Sequence, residues 1–297
     1  MSDVIRYNQH FLRDDTIPRY MIELAELEWS DMTLEIGPGT GVITRNLVQH
    51  SRRVSAIEID EQFRPTLDEL VRDNSNLVVE YGNALERRLP RFNKLIANIP
   101  FNITEQLILK LIDYTFDRAV LLVGENYAAH FKGEPDLSTR SAILTTAFFD
   151  VIHDREIGTE YLDPPPATPC ALISLEPKKK KDLPTIALYL ARALWERRTK
   201  PLSVALRDGI RDYVAAHGGH MESGREKRIY HCLGEDGYAL QARVDALPGT
   251  TFVSLYEHLG RIKKSDLFGG HKPRGGARSW QNEYAAYLPP LDRKDRK

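Results

Sequence analysis

Cysteine is nearly absent from this 297-residue chain: Cys170 and Cys232 are the only two. They are too few for a disulfide framework or a cysteine-based metal cluster, so a reducing, cytoplasmic setting without a structural metal is expected. Long apolar runs are absent as well. None approaches the roughly 18–20 residues that would span a bilayer, so no membrane partner is expected. The first residues, Met1-Ser2-Asp3-Val4-Ile5-Arg6, lack the charged-then-apolar pattern of a signal sequence. There are no internal repeats. Net charge is almost missing too, at −1, but that absence misleads. From Lys178 onward there are 24 Lys and Arg against 14 Asp and Glu, and before it 17 against 28. An acidic front joined to a basic back indicates one polyanionic partner that the back alone was built to meet. A run such as Lys178-Lys179-Lys180-Lys181 can equally be a solvated linker.

What is present reads as a soluble globular protein, 42% apolar and 28% charged, with room for one large domain and a smaller one. Ile17, Tyr20, Met21, Leu24 and Leu27 recur at helical spacing, so 17–28 is predicted to be an amphipathic helix. Short apolar strands are predicted at 33–36, 53–60, 77–81, 94–97 and 118–123, with helices after the first two. Alternating strands and helices, with several strands almost wholly apolar, imply a parallel sheet covered on both faces. Ligands of such sheets bind at the carboxyl ends of the strands. Segments 141–151 and 171–175 are predicted as late strands of the same sheet, separated by the stiff loop Asp163-Pro164-Pro165-Pro166. Residues 184–216 and 252–259 are predicted helical. The segment from Gly260 to Lys297 carries 10 basic against 4 acidic residues and little periodicity, as a mobile tail would.

Four strand ends carry the chemistry. After the first comes Glu35-x-Gly37-x-Gly39-x-Gly41, whose glycines allow a tight turn and a close approach of backbone to a ligand. Its spacing differs from the dinucleotide fingerprint, in which the third glycine falls one residue later. The second strand ends at Glu58, where a carboxylate can hold both hydroxyls of a ribose. After the third, Asn83 is placed to reach an adenine. The fourth runs into Asn98-Ile99-Pro100-Phe101. An exocyclic amine on a nucleobase is a poor nucleophile because its lone pair is delocalised into the ring. An Asn oxygen and a carbonyl beside a proline can accept its two N–H bonds and localise that pair, while Phe101 stacks on the base. Asn-x-Pro also occurs in ordinary turns. The fourth strand end has no role in hydride transfer, so S-adenosylmethionine is the better cofactor than a nicotinamide dinucleotide.

With these ends in order, the sequence resembles the ribosomal RNA adenine dimethyltransferases of the KsgA and Erm type. The match begins at Gln9-His10-Phe11-Leu12-Arg13-Asp14 and continues through Glu35–Gly41, Glu58–Asp60, Gly82–Leu85 and Asn98–Asn102. Asp163–Pro166 with Cys170-Ala171-Leu172 resembles the family's Pro-rich loop and last strand. Trp195-Glu196-Arg197-Arg198-Thr199-Lys200-Pro201-Leu202 resembles a basic helix of its small C-terminal domain, and Arg243–Leu247 with Phe252–Leu259 that domain's closing helix. The resemblance implies an α/β, Rossmann-like class I methyltransferase sheet at 1–182, a small helical RNA-binding domain at 183–260 and a basic tail at 261–297. It further implies S-adenosylmethionine bound by Gln9, His10, Leu12, Gly37, Gly39, Glu58, Asn83 and Asn98. Asn98 and Pro100 would accept the target amine's hydrogens, with Phe101 stacking on the flipped target base. Arg197, Arg198, Lys200, Arg207 and Arg211 would meet RNA phosphates. A monomer acting on ribosomal RNA is the implied assembly.

Several positions depart from the family pattern. Asn83 stands where Asp is usual, Phe101 for Tyr and Asn8 for Gly. Val123-Gly124-Glu125-Asn126 replaces the usual Gln-x-Glu, and Ala167 the usual base. Adjacent adenines of small-subunit RNA are the expected target. A single large-subunit adenine, whose methylation blocks macrolides, is one alternative; a non-catalytic RNA-binding or assembly protein with a relic pocket is the other.

Overall fold

The computed structural model describes residues 9–219, 238–262 and 267. Asn8, Cys232 and almost all of the expected tail lie outside them. The chain divides into two compact units, Met1–Arg192 and Ala193–Lys297. That division falls inside a helix, ten residues beyond the expected 182/183.

The first unit is built on seven strands: β2 (Met32–Ile36), β3 (Arg53–Glu58), β4 (Leu77–Tyr81), β5 (Lys94–Asn98), β6 (Arg118–Gly124), β7 (Phe149–Ile157) and β9 (Cys170–Pro177). Their order is β4-β3-β2-β5-β6-β9-β7. The first five are parallel, whereas β9 runs antiparallel between β6 and β7. Leu95 to Ala97 and Ala119 to Val123 are fully buried, as strands sandwiched between helical layers must be. Each such Leu or Ile contributes about 1.5–3 kcal/mol by leaving water. A two-stranded ribbon, β1 (Phe11–Leu12) with β8 (Leu162–Asp163), pins the N-terminal segment beside this sheet.

The helices are α1 (Thr16–Leu24), α2 (Val42–His50), α3 (Arg64–Asp73), α4 (Thr104–Leu111), the short α5 (Glu125–Ala128) and α6 (Arg140–Phe148), with α7 (Ile186–Glu196) crossing into the second unit. α1 buries Ile17, Met21 and Ile22, and α2 buries Ile43, Leu47 and Val48, so both follow the helical spacing of their apolar residues.

One expectation fails at 141–151. The segment begins as a helix, α6, and only Phe149 starts a strand, which runs on to Ile157. Ser141-Ala142-Ile143-Leu144-Thr145 and Ala147-Phe148 are all buried. A run apolar on every side has no period to separate helix from strand. The deciding signal is Thr139, whose hydroxyl accepts the Ala142 N–H at 3.1 Å and caps the helix. The single helix expected over 184–216 is likewise two, α7 and α8 (Leu202–Ala216). Pro201 lacks the N–H an unbroken helix would need and instead precedes the first residue of α8.

In the second unit, α8 and α9 (Gly249–Gly260) bury Leu206, Ile210, Phe252 and Leu255. Among the described residues no helix is long and apolar enough to cross a membrane.

Candidate active site

The carboxyl ends of β2 to β6 bring the predicted residues of the first unit together. Between β2 and α2 the backbone enters the left-handed region at Gly37, Gly39 and Gly41, with φ of +73°, +50° and +78°. A Cβ at Gly39 would lie 2.8 Å from the Phe11 ring, whereas one at Gly37 would meet only the Asn98 carbonyl, at 4.0 Å. Phe11, unassigned from sequence, thus closes one side of the glycine loop, and Gly37 leaves space on the other.

Two buried carboxylates flank that loop. Glu35 accepts a bond from the Thr44 hydroxyl at 2.7 Å, tying β2 to α2; its Oε1 has no partner. Burial pushes its pKa up to about 8, the Thr44 bond opposing the shift and the charge of Glu58 adding to it. Glu58 is served better. Its Oε2 accepts the Gly39 N–H and its Oε1 the Asp60 N–H, both at 2.8 Å. Burial still raises its pKa, against those two bonds.

Beyond β4, Asn83 forms a tight turn. Its Oδ1 accepts the Leu85 N–H at 2.9 Å and its Nδ2 donates to Glu86 at 2.8 Å. Ile59, 41% exposed between Glu58 and Asp60, adds an apolar surface at the same edge.

On β5, Asn98 donates from Nδ2 to the His10 carbonyl at 2.6 Å. That bond orients the amide and leaves Oδ1 as an acceptor. Pro100 starts a turn in which its own carbonyl accepts the Ile103 N–H at 3.1 Å. The carbonyl of Ile99, just before the proline, accepts no backbone bond among the described residues. Ile99 was not singled out from sequence; no side-chain pattern signals which carbonyl a turn consumes. Phe101 packs against Gly124, where a Cβ would come within 3.1 Å of the ring. It also stacks on His10 at 5.6 Å between centroids. The His10 Nδ1 in turn bonds the Pro164 carbonyl at 2.7 Å, which makes that nitrogen the protonated one.

Gln9 is buried and its Oε1 lacks a partner. Leu12, by contrast, is a core residue, packed with Ile17, Met21 and Leu162, so only its backbone is available to a ligand. Glu125 Oε2 and His153 Nε2 lie 3.5 Å apart, within ion-pair range but without a hydrogen bond. They stand behind Gly124, beside the buried thiol of Cys170, whose pKa is pushed to about 12 by burial and by Glu125. Among the described residues no cluster of His, Cys, Asp and Glu could hold a metal.

The comparisons agree on what this arrangement belongs to. A family model described as ribosomal RNA adenine dimethylase matches residues 3–219. The chain belongs to that family. It is therefore a dimethylase-family methyltransferase, of a kind that takes its methyl group from S-adenosylmethionine. Among its relatives is a protein of Pyrococcus abyssi named as a probable ribosomal RNA small subunit methyltransferase A, 33% identical over 78% of this chain and 88% of the relative. A protein of the same name in Methanopyrus kandleri is 30% identical over 78% and 84%. The crystal structure of a dimethyladenosine transferase from Plasmodium falciparum shares the fold, with a TM-score of 0.57 and 24% identity over 84% of this chain and 96% of that one. Within this dimethylase fold the unpartnered Gln9 oxygen, the space above Gly37 and the prepared carboxylate of Glu58 fit S-adenosylmethionine.

The five cations predicted to meet RNA lie in the second unit. Arg197 is paired with Asp212 and bonds the Ala193 carbonyl at 3.2 Å. Arg198 reaches the Trp195 carbonyl at 3.3 Å and lies over its ring. Arg207 bonds Asp208 at 3.1 Å, while Lys200 and Arg211 are exposed.

Proposed function

We propose that this protein methylates the N6 amine of adenine in ribosomal RNA, acting on adjacent adenines of the small subunit. One observation carries the reading: Asn98 is oriented by the His10 carbonyl so that its Oδ1 stands as an acceptor at the end of β5, beside the glycine loop. The names of the relatives support the small-subunit target.

In this reading Gln9, His10, Leu12, Gly37, Gly39, Glu58, Asn83 and Asn98 hold the cofactor. When bound, S-adenosylmethionine supplies a methyl group activated by its sulfonium. Glu58 is held by backbone N–H groups with lone pairs left for the ribose hydroxyls, and Asn83 Oδ1 has a second lone pair for the adenine amine. Asn98 Oδ1 and the Ile99 carbonyl accept the two N–H bonds of the target amine and localise its lone pair. Pro100 fixes the turn that presents them, and Phe101 stacks on the target base. Positioning and charge stabilisation carry the rate. A cytoplasmic monomer works here through a basic second unit whose phosphate contacts, from Arg197, Arg198, Lys200, Arg207 and Arg211, weaken steeply with salt.

Transfer of tritiated methyl from S-adenosylmethionine to purified ribosomal subunits lacking native methylation tests the reading. Incorporation into the small subunit, lost in Asn98→Ala, is the expected result. Labelling of the large subunit instead would overturn the choice of target. A protein that binds no S-adenosylmethionine would overturn the enzyme.

A further inference from the structure

The loop after β4 carries Asn83, one of the residues proposed to hold the cofactor. The backbone of this loop is fixed from three sides. Gly82 N–H donates to the Glu58 carbonyl at 2.7 Å. Lys110 Nζ, from α4, donates to the carbonyls of Leu85 and Arg87 at 2.8 and 2.6 Å. The Arg87 side chain turns to Glu80 and the Tyr81 carbonyl, so it does not occupy its neighbour Glu86. The freedom left at Asn83 is rotation of its amide.

That rotation is settled by two contacts of opposite demand. The Leu85 N–H requires an acceptor, and Glu86 Oε1, at 2.8 Å from Nδ2, requires a donor. Only an amide with oxygen inward and nitrogen outward satisfies both; the flipped amide fails both. A carboxylate at 83 would satisfy the first and set two like charges together at the second.

We propose that Glu86 is a positioning residue for cofactor binding. It holds Asn83 with Oδ1 as the acceptor toward the cofactor's adenine amine, and it makes an amide rather than a carboxylate the fitted side chain at 83. This inference rests on the reading of the site given above. An Asp at 83 therefore weakens the site, and a second change at 86 repairs it.

Calorimetric binding of S-adenosylhomocysteine to the full chain, with thermal melting to verify folding, tests the pair. Glu86→Ala is expected to weaken binding about three- to tenfold, and Glu86→Gln, whose amide oxygen still accepts from Asn83, by less than about twofold. Asn83→Asp alone is expected to weaken binding about tenfold. The double variant Asn83→Asp with Glu86→Gln, which supplies the carboxylate with a donor, should return to within about twofold of wild type. Wild-type binding with Glu86→Ala unchanged, or Asn83→Asp binding more tightly than wild type, overturns the inference and leaves the cofactor reading intact. Wild-type protein that binds no S-adenosylhomocysteine overturns both.

Discussion

The two halves of the sheet's carboxyl edge handle their polar groups in opposite ways. At the ends of β2, β3 and β4, Glu35 rests on Thr44, Glu58 on two backbone N–H groups and Asn83 on Leu85 and Glu86. Around β5 and β6, Gln9 Oε1 is buried without a partner, and Asn98 is bonded only through its nitrogen. Apart from Glu35 Oε1, the first half is bound to itself before any ligand arrives, which orders its groups in advance. The second keeps acceptors in reserve; under the proposed function Asn98 Oδ1 meets the target amine, where charge develops. Holding a ligand and reacting with one thus call for different treatment of buried polar atoms within a single edge.

The sharpest way to break this contrast is Asn98→Ala. Loss of this oriented acceptor should lower methyl transfer about 100-fold or more, while S-adenosylhomocysteine affinity, to which Asn98 also contributes, falls by about tenfold or less in calorimetry. An equal loss in both would mean that the two halves are one. Gly39→Ala attacks the prepared half. A left-handed φ and a 2.8 Å approach to Phe11 should weaken cofactor affinity about tenfold or more, with single-turnover transfer at saturating cofactor much less affected.

Glu35→Gln separates structural from ligand-directed carboxylates. The folded pKa of Glu35, about 8, lies above its ordinary 4.5. Between those values the folded protein keeps a proton that the unfolded chain has released. Stability from this group is therefore full below about pH 4.5 and falls steadily as the pH rises towards 8. The Gln variant should show a flatter decline across that window in urea titrations. The smallest effect is expected of Gly124→Ala. Its methyl would press the Phe101 ring at 3.1 Å and displace it by a few tenths of an ångström, lowering transfer a few-fold in single-turnover assays without changing cofactor affinity.

Much of this was legible in the chain because strand ends are local. Four short apolar runs, each followed by Gly, Glu or Asn, placed Gly37, Glu58, Asn83 and Asn98 at one edge before any coordinates. What resisted reading depended on distant partners. The orientation of Asn98 is set by His10, 88 residues away, and Leu12 belongs to the core because Leu162 pairs with it. The helix at 140–148 was hidden by its own uniformity, since burial on all sides erases the period that would identify it.

The placement of β9 between β6 and β7 has a consequence for the order in which the molecule is made. Its residues, Cys170–Pro177, emerge from synthesis after both neighbours. β6 therefore waits with an open edge, and β7 has no place in the sheet until β9 arrives. The ribbon that seats Gln9 and His10 likewise needs Leu162 and Asp163. Such distant pairings come late because chain closure must precede their reward. The parallel strands from β2 to β5 pair among themselves within the first 98 residues, and Lys110 then secures the loop after β4. The growing chain can thus pair its parallel strands early, but closes the sheet only when the last strand is in place.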